Sequence, residues 1–392
     1  MTVTGIICEY NPFHNGHAYH IKETRHICNS DYIIGVMSGD YVQRGEAAVT
    51  DKYTRTRMAL ISGCDIILEL PVRYATSSAE GFAYAAVNTL ISTCITDNFC
   101  FGTEYGSLKK LQPVTDILYN EPKVYSDKLK SELKNGLSFP AARMKALQAC
   151  TGIDDINYSP NNILAIEYLK ACKNTKLKPY TIKRTDGGYN ADDISVHPDN
   201  ICSAGAIRKL LYTNDKESLI NYMPFDTLKL LNNTVITNDF SDILYSQLIY
   251  NRGNLYDFLD VSDDMSSRIS NNINSYKNFT DFCELIKTKQ LTYTRVSRAL
   301  LHICLGIKQY NQKNYDIPYI RLLGFRKDAS HLIKKLCDNA AIPVLKNARD
   351  IHSLTAPFAK EMINEDIRCS ELYRYIQGIT DYNEYTHGLV IV

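Results

Sequence analysis

Between residues 3 and 101 the chain alternates short apolar runs with amphipathic stretches, and this alternation restricts the fold more than any other property. Val3–Cys8 and residues 32–37, 65–69 and 98–101 read as strands, while residues 18–27, 52–62 and 78–92 between them carry helical periodicity. Strands separated by helices of this length join as parallel βαβ units of a doubly wound sheet. The expected fold class is therefore α/β, with a Rossmann-like parallel sheet. Ligands of such sheets sit beyond the carboxyl ends of the strands. Unusual sequence collects there: residues 9–17 after the first strand, 38–46 after the second, and Gly102-Thr103-Glu104 after the fourth.

The first of these segments is Glu9-Tyr10-Asn11-Pro12-Phe13-His14-Asn15-Gly16-His17. It places His-x-Gly-His where a strand turns into a helix. Free backbone N–H groups and the positive end of a helix attract phosphate, and Gly16 lets a ligand approach the backbone. His14 and His17 can both face one phosphate and donate to it as charge builds in a transition state. A helix-start or core position for one or both histidines is the alternative. A second candidate phosphate site is Ser203-Ala204-Gly205-Ala206-Ile207-Arg208, where Ser203 can cap a helix and bond a phosphate while Arg208 brings a guanidinium fork. Alone it reads more readily as a capped surface helix.

Beyond residue 108 the pattern is helical to residue 173, broken by Pro122, Pro140 and the turn Ser159-Pro160-Asn161-Asn162. A last strand, Lys178–Lys183, leads into the loop 184–189. After residue 221 strand signals fade and amphipathic helical patterns dominate to residue 375. This places a boundary near residue 220, with 1–220 as a nucleotide-binding catalytic domain and 221–392 as a mainly helical domain.

With 45% hydrophobic and 22% charged residues the chain has the composition of a soluble globular protein. No apolar run is long enough to span a membrane, and no signal peptide precedes the first strand. The 12 cysteines include no Cys-x-x-Cys pair, which points away from a zinc ribbon and towards free thiols in a reducing cytoplasm. No carboxylate cluster suggests a dedicated metal cage. A net charge of +1 excludes a broadly basic coat but permits a local basic patch. Residues 293–350 supply one, with 11 Lys or Arg against 4 Asp, among them Arg295, Arg298, Arg321, Arg326 and Lys327. Tyr293, Tyr310, Tyr315 and Tyr319 are interleaved and could stack on unpaired bases. Charge counting alone favours a solvated helix face with core tyrosines. The cluster Lys170, Lys173, Lys176 and Lys178 reads as a solvated helix end.

The His-x-Gly-His and Ser203–Arg208 motifs together resemble the pair with which nucleotidylyl transferases of the His-Ile-Gly-His superfamily hold a nucleoside triphosphate. A closer resemblance lies in residues 9–17 together with Met37-Ser38-Gly39-Asp40-Tyr41-Val42-Gln43-Arg44-Gly45-Glu46 and Phe101-Gly102-Thr103-Glu104. It continues in Ser159-Pro160-Asn161-Asn162-Ile163-Leu164-Ala165, Ile182-Lys183-Arg184 and Tyr293-Thr294-Arg295-Val296-Ser297-Arg298. These strings are similar to the bacterial tRNA-Met cytidine acetate ligase family over nearly the whole chain, most closely in residues 5–105.

That resemblance implies a sheet of the nucleotidylyl transferase type. It also implies an ATP-dependent ligase that activates acetate as acetyl-adenylate and forms N4-acetylcytidine at the wobble position of elongator tRNA-Met. The segment 6–19, including Ile7, Glu9, Tyr10, Asn11, Pro12, Phe13, Asn15 and Gly16, would bind ATP together with Gly102, Asn162 and Arg184. His14 and His17 would be catalytic, and Ser203 and Arg208 would hold the outer phosphates. Magnesium would enter with ATP, held mostly by its oxygens and water. Arg295, Arg298, Arg326 and Lys327 would engage RNA. The chain departs from the family pattern at Gly205, where a Ser or Thr hydroxyl is usual, and at Asp40, where Asn is commoner. Gln43, Arg44 and Glu46 either close over ATP or acetate, or pin their loop through an Arg44–Glu46 ion pair. Two other readings stand beside this one. One is a nucleotidylyl transferase acting on a small metabolite; the other is an RNA-binding protein that senses a nucleotide without turnover. Oligomeric state is left open.

Overall fold

A computed structural model describes residues 1–153, 159–184, 201–213, 216–310 and 316–392. Among them the main sheet has eight strands: β1 (Val3–Cys8), β2 (Tyr32–Ser38), β5 (Ile66–Leu70), β6 (Asn98–Thr103), β7 (Lys178–Lys183), β8 (Ile320–Phe325), β9 (Val344–Leu345) and β10 (Val390–Ile391). A separate hairpin pairs β3 (Tyr41–Val42) with β4 (Glu46–Ala47). The order across the sheet is β10-β8-β5-β2-β1-β6-β7, with β9 beside β8. The run β5-β2-β1-β6-β7 is parallel, as the βαβ alternation requires, and β8 lies antiparallel to β5.

The helices that position the site are α1 (Asn15–Ile27), α2 (Lys52–Ile61), α3 (Ala79–Ser92), α4 (Pro160–Cys172), α5 (Ala204–Tyr212), α6 (Tyr293–Leu305) and α7 (Pro357–Ile376). Because successive strand residues face opposite sides, each parallel strand feeds two cores. Val3, Val36 and Leu68 meet Phe82, Leu90 and Tyr168 of α3 and α4 on one side. On the other, Ile6, Ile33 and Ile67 meet Ile21, Met58 and Ile207 of α1, α2 and α5. A third cluster, centred on Phe240, Phe282 and Leu300, joins the helices of residues 241–305 to α7.

The strand-free reading of residues 221–375 is corrected by β8 and β9. Ile320–Phe325 is a short, mostly apolar run with Arg321 inside it, and periodicity cannot separate such a run from a buried turn of helix. Arg321 within β8 is 3% exposed and belongs to a buried charge cluster rather than to the basic surface. It lies 3.0 Å from Glu69 and also pairs with Glu384, while Lys52 Nζ reaches Glu69 at 2.9 Å and Glu384 at 2.7 Å. Four buried charges thus compensate one another, as burial demands. Among the described residues no helix is long and apolar enough to cross a membrane.

Candidate active site

The carboxyl ends of β1, β6 and β7, with the β3–β4 hairpin, surround a cavity of about 390 Å³. Two helices begin at its wall. His14 caps α1 with extended backbone, its Nδ1 accepting the N–H of Gly16 at 3.1 Å. The His17 Nδ1 in turn accepts the His14 N–H at 3.3 Å. Since each Nδ1 is an acceptor, each neutral ring carries its proton on Nε2, so both imidazoles are donors at the opposite edge. The rings stack at 3.6 Å and both line the cavity. Burial, the adjacent His14 ring and the Arg184 guanidinium hold His17 well below the ordinary imidazole value, which keeps it neutral. Gly16 is required here mainly by its own cap, because a Cβ would stand 2.9 Å from the His14 ring and 3.3 Å from Ile201.

The second helix start is that of α5. Ser203 accepts the Ala206 N–H at 3.1 Å, and Ser203, Ala204 and Gly205 line the same cavity. Two helix N-termini therefore face one space, each presenting backbone N–H groups and a partial positive charge. Arg208 also lines it and donates to the Asn11 carbonyl at 2.9 Å. Arg184, at the end of β7, packs against Gly102. Arg44 arrives on the β3–β4 hairpin with Gln43 and Glu46; burial, partly offset by Glu46, lowers its affinity for its proton.

Ile7, Glu9, Tyr10, Asn11, His14, Gly16, His17, Gly102, Arg184, Ser203 and Arg208 thus stand along one cavity. Pro12, Phe13, Asn15 and Asn162 do not line it. Phe13 packs into the core against Tyr10 at 4.8 Å between ring centres. Asn15 turns to the carbonyl of Asn221 at 3.0 Å. The fully buried Asn162 accepts the Glu104 N–H at 3.2 Å and supports the wall, whereas its neighbour Asn161 lines it. Asp40 is structural as well: it caps Lys52 at 2.7 Å and takes the Ser370 hydroxyl at 2.5 Å. The loop residues 185–189 lie outside the described residues.

The four basic residues expected at RNA divide. Arg295 is exposed on α6, whereas Arg298 is largely buried beside Asp260 at 3.6 Å. Arg326 and Lys327 follow β8, which runs antiparallel to β5, so they sit at the edge of the sheet opposite the cavity. Arg326 is engaged there by Asp328 at 2.5 Å and Asp65 at 4.0 Å. Of the tyrosines, Tyr319 is a core residue donating to Asp366 at 2.9 Å, and Tyr310 packs on Arg73 and Phe358. Tyr315 lies outside the described residues. Lys170 and Lys173 pair with Glu80, Glu167 and Asp116.

Several site residues carry no readable signal in the sequence. The buried Arg55 donates to the carbonyls of Glu9 at 2.7 Å, Ser38 at 3.1 Å and Thr50 at 2.9 Å, and to that of Gly39, thereby fixing the ends of β1 and β2. Phe82, Leu164 and Tyr168 form the apolar wall. His20 lines the cavity one turn beyond His17, where burial and Arg184 lower it to about 4. Its three-residue spacing from His17 is the one clue to that position. Among the described residues no group of three or more His, Cys, Asp or Glu could hold a metal ion.

The family model described as HIGH Nucleotidyl Transferase matches residues 1–387. A tRNA(Met) cytidine acetate ligase of Clostridium perfringens is 36% identical over 399 residues, covering 98% of this chain and 97% of that protein. One from Thermoanaerobacter pseudethanolicus is 38% identical over 383 residues, covering 94% of each. The chain belongs to the tRNA(Met) cytidine acetate ligase family. Within that family the fold matches the crystal structure of Thermotoga maritima TmcAL in its apo form at a TM-score of 0.91, with 30% identity and full coverage of both chains. The form of that protein bound with alpha-thio ATP superposes at 0.90, covering 100% of this chain and 99% of that one.

Proposed function

We propose that this ligase-family chain uses ATP to activate acetate as acetyl-adenylate and then acetylates the N4 amine of the wobble cytidine in elongator tRNA-Met. The observation that carries the reading is the convergence of two helix N-termini, two Nε2–H imidazoles and Arg44, Arg184 and Arg208 on one cavity. Such a cavity suits a polyphosphate and its charge in an in-line displacement. An acetate oxygen attacks the α-phosphorus, the bond to the bridging oxygen breaks, and pyrophosphate departs. His14 and His17 donate to the phosphate oxygens as charge grows, while Ser203 and Arg208 hold the outer phosphates. The protein contributes chiefly position and charge stabilisation. Magnesium belongs to this proposal as a companion of ATP, held by phosphate oxygens and water. The cytidine amine then attacks the acetyl carbonyl and AMP leaves. An anticodon loop presents its bases with little unstacking cost. Residues 221–392 serve as the RNA-engaging part, with Arg295 the best-placed of the four proposed contacts because it is exposed on a helix that touches the cavity's hairpin.

The test is acetate-dependent exchange of pyrophosphate into ATP, followed by nucleoside mass analysis of tRNA incubated with the protein. Exchange together with an acetylated cytidine would support the reading; exchange without RNA modification would transfer the adenylate to another acceptor.

A further inference from the structure

Glu9 is anomalous in its surroundings. An acidic side chain lining a cavity built for anions repels what the cavity binds, so its presence calls for a chemical reason. It sits at the tip of β1, and Arg55 grips its carbonyl at 2.7 Å. Its Oε1 accepts the Gln43 N–H at 2.7 Å and the Ser38 hydroxyl at 3.5 Å. Its Oε2 makes no hydrogen bond among the described residues, and the side chain lines the cavity. The carboxylate is thus held by one oxygen and presents the other.

Resting on the ligase reading above, we propose that Glu9 is the base of the acetyl-transfer step. The amine nitrogen forms its bond to the acetyl carbon, the bond from that carbon to the phosphate oxygen breaks, and AMP leaves with the electron pair. One N–H proton passes to Glu9 Oε2. The first step needs no such group because acetate is already an anion. His14 and His17 are unsuited to accepting that proton, because their Nδ1 atoms are occupied by backbone N–H groups and their Nε2 atoms carry protons. Of the other acids, Glu46 also lines the cavity, but on the hairpin beside Arg44 rather than at a strand tip clamped by Arg55.

The groups facing Glu9 are Gln43 and Arg44 of the hairpin, Arg208 of α5, Arg55 of α2, Tyr168 of α4 and Cys8 of β1. Burial raises Glu9 above the ordinary carboxylate value and outweighs the lowering by the Gln43 N–H and the three arginines. That brings a proton acceptor nearer to the working pH.

Glu9→Gln keeps the acceptor for Gln43 and the side-chain volume. Acetate-dependent pyrophosphate exchange and single-turnover acetylation of tRNA would be measured on wild type and variant, with thermal unfolding as the check on folding. The expected result is transfer lowered by about 100-fold or more, exchange lowered by less than about tenfold, and loss of the acid limb of the transfer pH profile. Equal losses in both assays would make Glu9 a part of ATP binding and overturn the proposal. Undiminished transfer would overturn it too. Wild-type protein without acetate-dependent exchange would instead sink the ligase reading, and Glu9's role with it.

Discussion

Gly45 joins the cavity to the helical half of the chain, and replacing it measures that joint. It sits in the β3–β4 hairpin with φ at +78°, and a Cβ there would stand 2.4 Å from the backbone nitrogen of Arg298 and 2.7 Å from the Ser297 carbonyl carbon. Its own carbonyl accepts the Ser297 hydroxyl at 2.8 Å. Gly45→Ala therefore combines two costs: left-handed backbone, about 1–2 kcal/mol, and overpacking against a helix backbone that cannot rotate away, about 1–3 kcal/mol. The total is about 2–5 kcal/mol. Gly136 isolates the first cost, since it has a similar φ of +82° and nothing within 4 Å of an added Cβ. Gly136→Ala should lose only about 1–2 kcal/mol. Urea unfolding of both variants gives the difference, expected at about 1–3 kcal/mol. Because the hairpin carries Gln43, Arg44 and Glu46 into the cavity, Gly45→Ala should also raise the KM of the exchange reaction, while Gly136→Ala should not. Equal destabilisation by the two alanines would refute the argument that the hairpin is wedged against α6.

Three further outcomes follow from the same geometry. His14→Ala or His17→Ala should lower kcat of acetate-dependent pyrophosphate exchange by about 100- to 1,000-fold, the usual cost of losing one aligned donor; a tenfold loss or less would assign the imidazoles to binding alone. His20, lowered to about 4 by burial and Arg184, binds a proton in the unfolded chain before it does in the folded one. Stability should therefore fall as pH drops from about 6.5 to about 4, by about 3 kcal/mol in all, and His20→Gln should flatten that slope in denaturation series. For RNA, Arg295→Ala should weaken tRNA binding and reduce its salt slope by about one phosphate contact, whereas Arg326→Ala, at the far edge of the sheet, should change both less. The reverse order would place the anticodon arm across the opposite edge.

What can be read from the chain is what local physics controls. The parallel strands of the first hundred residues, the His14 cap and the Ser203 cap are all set by residues within a few positions of one another. Lys178–Lys183 is legible for the same reason. Contacts set by topology are not. Nothing near Asn162 in sequence reports that Asn161, rather than Asn162, faces the cavity; that depends on how α4 docks against α3. Three-residue spacing groups Arg298 with Arg295, yet α6 is buried along most of its length, and Asp260 reaches Arg298 from another segment. Charge counting fails at Arg321 for a related reason: its partners are 252 residues earlier, at Glu69, and 63 residues later, at Glu384.

Those distant partners explain why the sheet edge and the cavity depend on each other. Three residues at the start of α2 tie the two together. Asp51 caps the helix and meets Arg374 of α7 at 3.2 Å; Lys52 joins Glu69 to Glu384 near the end of the chain; Arg55, one turn on, holds the carbonyls that end β1 and β2. Lys52 and Arg55 are both 0% exposed, so neither can exchange its partners for water. Removing one partner of a buried pair costs about 3–5 kcal/mol because the other charge is stranded. A loss of Glu384 would therefore act on Lys52 and Arg321 first, and through the first turn of α2 on the strand tips that present Glu9 and the hairpin. The C-terminal residues are in this sense part of the frame of the cavity, although none of them lines it.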